Sequence, residues 1–319
     1  MQSAIHKDIV NGIAITCCIL AVSVFIPLLG FPCALFIPLP ILFYRQKLGR
    51  QKGGLMLLLI FAAMGVILGG ISFDLLFFGG LLLVGFTLSE LFEMNLSIEK
   101  TIGLACGVTV STGCALLMIY INFSSSDFTS LISEYVDLNL KLTMALYKNM
   151  GMSDANVQAL ANSLDMIKYV LIRIIPALVV AATLFVAWIN VLLAKPLLKR
   201  KKMPFPDFGT LNTWQAPEYL VWTVIGCALL LFFPDKGFKM IGANGILVLM
   251  TIYFFQGISI TAYFFEKKNL PRAFRFFFYT LITIQQFILL LVIGIGFFDM
   301  WLNLRKLKKL NTGNQSPDS

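Results

Sequence analysis

The chain has 319 residues, 58% of them hydrophobic and 13% charged, with a formal net charge of +9 and a mean hydropathy of +0.85. That composition excludes a water-soluble globular protein and leaves no room for a large soluble catalytic domain. In a membrane protein, excess lysine and arginine gathers in cytoplasmic loops, so the positive charge is read as topology rather than as a nucleic-acid footprint.

A membrane-crossing helix needs about 20 mostly apolar residues. Residues 9–29 form the first such run, too long for a signal-peptide core and without a small-x-small cleavage site after it. The next run, 31–44, is short and carries Pro32, Pro38 and Pro40, so it is expected to kink or re-enter, with its freed carbonyls taken up by neighbouring helices. Runs at 53–69 and 71–88 form a tight pair around Gly69 and Gly70, and 101–121 is the fifth span. In the first run, Ala14 with Cys18 and Cys17 with Ala21 have the small-xxx-small spacing that lets helices approach closely.

Residues 122–165 are too polar for lipid. Leu131, Tyr135, Leu138, Leu142 and Ala145 recur there at helical spacing, with Ser126 or Asp127 as N-cap. A second stretch opens at Ser153 and Asp154 and sets Val157, Leu160, Leu164 and Ile167 on one stripe. Two amphipathic helices are expected to lie over the membrane domain, as a packing lid before a ligand gate. Spans then follow at 169–193, 219–233, 241–264 and 276–301, with a basic, proline-containing loop at 195–217. The expectation is an all-α polytopic helical membrane protein, a single membrane domain with eight or nine transmembrane helices. Its parts are N-terminal helices 9–121, the amphipathic insert 122–167, C-terminal helices 168–303 and a polar tail 304–319.

Lysine and arginine set the orientation. Arg45, Lys47, Arg50 and Lys52 share one loop, Lys195 and Lys199 to Lys202 a second, and Lys267, Lys268, Arg272 and Arg275 a third. Nine spans put all three inside and the insert outside. They also put Arg305, Lys306, Lys308 and Lys309 outside, against the rule, so the side of the C-terminus stays open.

Catalytic signatures are sparse. His6 is the single histidine, no HExxH or GxxxxGK[ST] occurs, and the six cysteines fall in apolar segments without a CxxC pair. No enzyme, metal, disulfide framework or cofactor is expected, and any ATP hydrolysis belongs to another subunit. Intramembrane charges are functional candidates by default, and two stand one turn inside spans: Asp74 and Arg173, for which a mutual pair is conceivable. Snorkelling at the interface is the competing reading.

The better constellation is uncharged. Tyr253, Gln256, Ser259 and Tyr263 share one helical face, and Tyr279, Thr283 and Gln286 share another, with Gln285 beside them. Interhelical hydrogen bonding, worth ~0.6 kcal/mol per pair, is one reading. A pocket for a small polar or aromatic molecule lined by Tyr253, Gln256, Tyr279, Thr283 and Gln286 is the other.

The chain also resembles the YybS-like family of predicted bacterial membrane proteins of unknown function. The resemblance rests on Asn190 in a span that holds Pro176, on Pro206-Asp-Phe208, on Trp214-Gln-Ala-Pro217-Glu218 and Trp222, and on Gln256-Gly257. It extends to Gly296-Phe-Phe-Asp299-Met-Trp301 with Arg305-Lys306 after it, and to Pro38-Leu-Pro40 before a basic loop. The family is distantly similar to the substrate-binding S-components of energy-coupling-factor transporters. That likeness implies a multi-pass protein of the bacterial inner membrane that binds a small molecule and works with a coupling membrane subunit and a cytoplasmic ATPase. The chain departs from that pattern in its length, its helical insert and its weak alanine motif. A non-transporting scaffold or regulatory protein of the cell envelope, docking through the insert and the basic loop, is the alternative.

Overall fold

Proline decides the first departure from a simple row of spans. The computed structural model describes residues 2–70, 72–124, 128–151 and 154–306, and the regular elements among them are all helical. In chain order these are α1 (Gln2–Phe25), α2 (Pro27–Ala34), α3 (Pro38–Leu48), α4 (Arg50–Ile67), α5 (Phe73–Glu93) and α6 (Ile98–Ser124). There follow α7 (Phe128–Asn149), α8 (Asp154–Arg200), α9 (Tyr219–Leu230), α10 (Lys236–Lys267), α11 (Arg272–Ile284) and α12 (Gln286–Leu302). Where the sequence suggested a single domain, the chain divides into two compact units, Met1–Ile175 with Ala182–Asp207 and Pro176–Ala181 with Phe208–Ser319.

Among the described residues six helices are long and apolar enough to cross a membrane, or seven if α11 and α12 are one broken span. The expected eight or nine exceed this for identifiable reasons. The run at 31–44 contributes only α2 and α3, of 8 and 11 residues, because proline cannot donate to the helical ladder. At ~1.5 Å per residue neither reaches across ~30 Å of hydrocarbon. Helix α9 has 12 residues, and α11 and α12 meet at a 102° bend. The second amphipathic stretch is not a separate helix over the membrane. It is the first part of the 47-residue α8, which at ~1.5 Å per residue is ~70 Å long, more than twice a bilayer core. The expected caps Ser126, Asp127 and Ser153, the side chains of Leu131 and Val157, and Lys308 and Lys309 lie outside the described residues.

In the first unit, the carbonyl of Leu35 at the α2–α3 break has lost its helical partner, and the Nδ2 of Asn190 donates to it at 2.9 Å. Asn190 is fully buried. Ile37, Ile41, Leu42, Leu82 and Leu88 form the core between α3 and α5. Gly85 of α5 lies so close to the backbone of Pro38 that a methyl group there would overlap its carbonyl. On α1 the buried face is Gly12, Thr16 and Leu20, and Gly12 is closed over by Met56 and Tyr44. Ala14 and Cys18, with the expected close-approach spacing, are exposed instead.

Arg45, at the end of α3, is 1% exposed. Its guanidinium donates to Glu90, to Glu93 and, at 3.3 Å, to the carbonyl of Ser89, while Arg50 stands 3.5 Å from Glu90. Two carboxylates and two guanidiniums therefore balance one another at this end of the unit, as a buried charge requires. At α5's first turn Ser72 caps the helix, accepting from the Leu75 amide at 3.2 Å. Beside it, Tyr135 of α7 donates to Asp74 at 3.4 Å and packs on Phe73. Burial first, and then the Asp74 carboxylate, push the Tyr135 phenol above its ordinary pKa, because both disfavour a phenolate. Lys168 of α8 pairs with Asp137 of α7 at 2.6 Å.

Backbone-to-backbone approach at Gly85 predicts a sharp contrast between two glycines. Gly85→Ala should cost at least the ~1–3 kcal/mol of an overpacked core, whereas Gly103, with open space around it, should accept alanine at no loss. Thermal melts in mild detergent check this, and equal melting of both variants would contradict the α3–α5 packing.

Candidate functional site

The second unit is organised around α10. Asp235 starts that helix by accepting from the amides of Gly237 and Phe238 at 2.7 and 3.2 Å. Its first half packs on α9 through Gly242 and Gly245, which meet Cys227 and Leu230. Farther along, Gly257 meets the Val292 carbonyl and Gly296 meets the Tyr253 carbonyl, so α10 and α12 cross with their backbones nearly touching. A turn of α8 also belongs here. Pro176 lies within that continuous helix, and the next amide, Ala177, donates to Asn244 Oδ1 on α10 at 3.0 Å.

At the α10–α12 crossing the polar face of α10 is turned inward. Tyr253, Gln256 and Ser259 are 3–4% exposed. Tyr263, next on the same stripe, escapes that burial and lies under Lys267 instead. Opposite them, Asp299 comes from the last turn of α12 and Arg305 from the turn that follows, and both side chains are fully buried. The turn is sharp because Asn303 adopts a left-handed conformation, φ 41°, which asparagine tolerates better than most residues. That reversal swings Arg305 back so that its Nη2 donates to Asp299 Oδ2 at 2.9 Å. The Leu304 amide donates to the other oxygen, Oδ1, at 3.0 Å.

Of the other donors of Arg305, Nη1 faces the loop before α9, whereas Nε is buried without a hydrogen-bond partner among the described residues. Nη1 lies 2.9 Å from the carbonyl of Asn212, 3.0 Å from that of Trp214 and 3.0 Å from Ser259 Oγ. Ser259 donates to the Leu211 carbonyl at 2.9 Å. Gln256 bridges the two sides, accepting from the Ala216 amide at 3.2 Å and donating to Asp299 Oδ2 at 3.4 Å. A loop carrying one short 3-10 turn, Leu211–Thr213, is thereby tied to two membrane helices through four side chains. The guanidinium acts as a tethered cation in a cage of carbonyl, hydroxyl and carboxylate oxygens.

Between the loop, α9, α10 and α12 a cavity of about 20 Å³ remains, lined by Pro217, Glu218, Val221, Tyr253, Gln256 and Asp299 among others. That is room for one water molecule. The hydroxyl of Tyr253 is buried against it without a hydrogen-bond partner among the described residues, an omission that costs free energy unless a ligand or water completes it. The described residues hold no cluster of three or more histidine, cysteine or carboxylate groups able to bind a metal ion.

Of the five pocket residues expected from the sequence, Tyr253 and Gln256 lie at this cavity, as do Pro217, Glu218 and Asp299 of the motifs that carried the family resemblance. Tyr279, Thr283 and Gln286 do not line it. The expected straight span from 276 to 301 breaks at Gln285, which leaves the helical region at φ −98°, ψ 108°. Tyr279 and Thr283 are thereby carried off on α11, where Tyr279 packs on Phe265 and Thr283 bonds back to the Tyr279 carbonyl at 2.9 Å. Gln286 is exposed at the start of α12. In the first unit Asp74 and Arg173 form no ion pair with each other. Asp74 takes Tyr135, and the Arg173 guanidinium stacks 3.4 Å over the Tyr169 ring.

Sequence reasoning missed Asp299 and Arg305 as site residues because Arg305 was counted as a topology charge. The available signal was one carboxylate in the last turn of an intensely apolar helix, six positions before an arginine, with asparagine between them.

No solved structure matches this chain. An uncharacterized protein, YybS of Bacillus subtilis (strain 168), is 22% identical over 304 residues, covering 90% of this chain and 92% of that relative. A family model described as a predicted membrane protein, DUF2232, matches residues 14–300. With nearly its whole length matched and helices fit to cross a bilayer several times, the chain is a multi-pass membrane protein that belongs to the DUF2232 family of predicted membrane proteins.

Proposed function

We propose that this protein is the membrane-embedded, small-molecule-binding component of a bacterial inner-membrane transporter, driven by a separate cytoplasmic ATPase through a coupling membrane subunit. One observation carries the reading. A polar loop, regular only in the 3-10 turn Leu211–Thr213, ends at the 12-residue α9, beside the mid-length residues of α10, and meets buried Gln256, Ser259, Asp299 and Arg305. Irregular backbone among membrane helices is tolerated only where protein buries it or where it lines a cavity. In transporters, broken helices of this kind mark substrate and ion sites. The absence of a GxxxxGK[ST] motif supports an energy source outside the chain, and no catalytic step is part of this reading.

The cavity as it stands is far smaller than the ~300–1,000 Å³ of ordinary ligand pockets. Binding therefore requires the 208–217 loop to lift from Arg305 and Ser259, and the closed state is the resting one. Asp74 and Arg173 are second-choice sites on the first unit. For topology, we count α2–α3 and α9 as membrane-embedded short elements, which with α12 raises the six long spans to nine.

A scaffold reading is favoured by a different observation. Helix α7 exposes Leu138, Leu142 and Leu146 on one face, and α8 is far longer than a bilayer is thick. Deleting residues 128–165 should strip partners from a scaffold and leave a transporter's ATPase contacts intact.

Purification in gentle detergent, with mass spectrometry of co-eluting proteins and small molecules, tests the leading reading. An ATPase and a membrane subunit in fixed proportion are expected, and envelope proteins without any ATPase would count against it. Gln256→Leu should lose the co-purifying small molecule while the protein stays folded, its melting temperature lowered by the lost bonds to Ala216 and Asp299; retention of that molecule sinks the pocket. Arg305→Ala, which leaves Asp299 buried and unpaired, should cost ~3–5 kcal/mol and expose the 208–217 loop to protease. Millimolar guanidinium should restore both by refilling the oxygen cage.

A further inference from the structure

Helix α11 is amphipathic, yet its apolar face does not pack on the protein. Phe274, Phe277, Leu281 and Ile284 recur at i, i+3, i+7 and i+10 along it, and Phe277 and Ile284 are 57% and 74% exposed. A different stripe faces inward, where Ile282 is buried and Phe278 and Tyr279 pack on Phe265 near the end of α10. Lys267, Lys268 and Arg272 are exposed around the start of α11. Arg275 is tethered there by its Nε, which donates to the Leu270 carbonyl at 2.9 Å. The nearby carboxylate, Glu266, is engaged by the Asn212 side-chain amide.

Orientation supplies the rest. Helix α12 is the more apolar of the pair, without lysine or arginine, and on that ground is taken as the element that crosses lipid; α11 leaves it at 102°. A helix nearly perpendicular to a membrane-crossing neighbour lies in the plane of the membrane. Its apolar face then sinks to the acyl boundary and its basic end sits among headgroups. We infer that α11 with the 267–275 segment is an in-plane lipid-binding element that holds anionic phospholipid headgroups with Lys267, Lys268 and Arg272. The occupant is an anionic lipid surface: three exposed cations, Lys267, Lys268 and Arg272, against one carboxylate, Glu266, beside exposed phenylalanines, match a phosphodiester above acyl chains. This inference is independent of the Gln256 pocket.

Two measurements on the full-length protein test it. In native mass spectrometry of delipidated protein, phosphatidylglycerol should bind at least tenfold more tightly than phosphatidylcholine, since each basic residue near an anionic surface contributes about fivefold. The triple variant Lys267→Gln, Lys268→Gln, Arg272→Gln should erase that preference, Lys-to-Arg exchange at 267 and 268 should preserve it, and soluble glycerol phosphate should not compete. In nanodiscs, spin labels at 277 and 284, introduced in a cysteine-replaced background, should report equal depth. Equal binding of both lipids, competition by glycerol phosphate, an unaffected triple variant, or a depth difference of ~10 Å would each overturn the inference. So would loss of a bound protein, rather than of lipid, from the triple variant.

Discussion

Lipid offers no hydrogen bonds, so every backbone group that leaves a helical ladder inside the membrane must find a partner in the protein. At three places in this chain a polar side chain meets that need. At the α2–α3 break, Asn190 takes the freed Leu35 carbonyl. Beside Pro176, Asn244 takes the Ala177 amide. Before α9, the carbonyls of Leu211, Asn212 and Trp214 and the amide of Ala216 are held by Ser259, Arg305 and Gln256. The last case is the most demanding, because it brings a guanidinium and a carboxylate to zero exposure.

Glycine makes these arrangements geometrically possible. Helices associating in lipid gain little from hydrophobic burial and depend on close packing. Gly85 against Pro38 in one unit, and Gly257 with Gly296 in the other, bring backbones within the reach of short polar side chains. A bulkier residue at Gly257 or Gly296 would push α12 outward and draw Asp299 away from Gln256. Packing and polar satisfaction are therefore coupled at the crossing, and the Tyr253 hydroxyl, left without a partner beside the cavity, stands at the same point.

The break at Gln285 has a separate consequence. By turning the chain 102°, it separates an amphipathic, basic-ended helix from one whose only charged residue is Asp299.

Composition and hydropathy alone determined the membrane class, the all-helical architecture and most long spans, because burial in lipid is a property of each residue summed over about 20 positions. The polar stripe of Tyr253, Gln256 and Ser259 was also legible, since a 3.6-residue period can be counted. The span number was not, because Pro38 and Gln285 end helices through local backbone geometry that a hydropathy sum averages away. Nor was the pairing of Asp299 with Arg305. It depends on a left-handed Asn303 reversing the chain and on an α10–α12 crossing that brings residues some 40 positions apart into contact. Only the tertiary structure could decide those contacts, because they depend on where helices cross, and the local pattern carries no record of the partner helix.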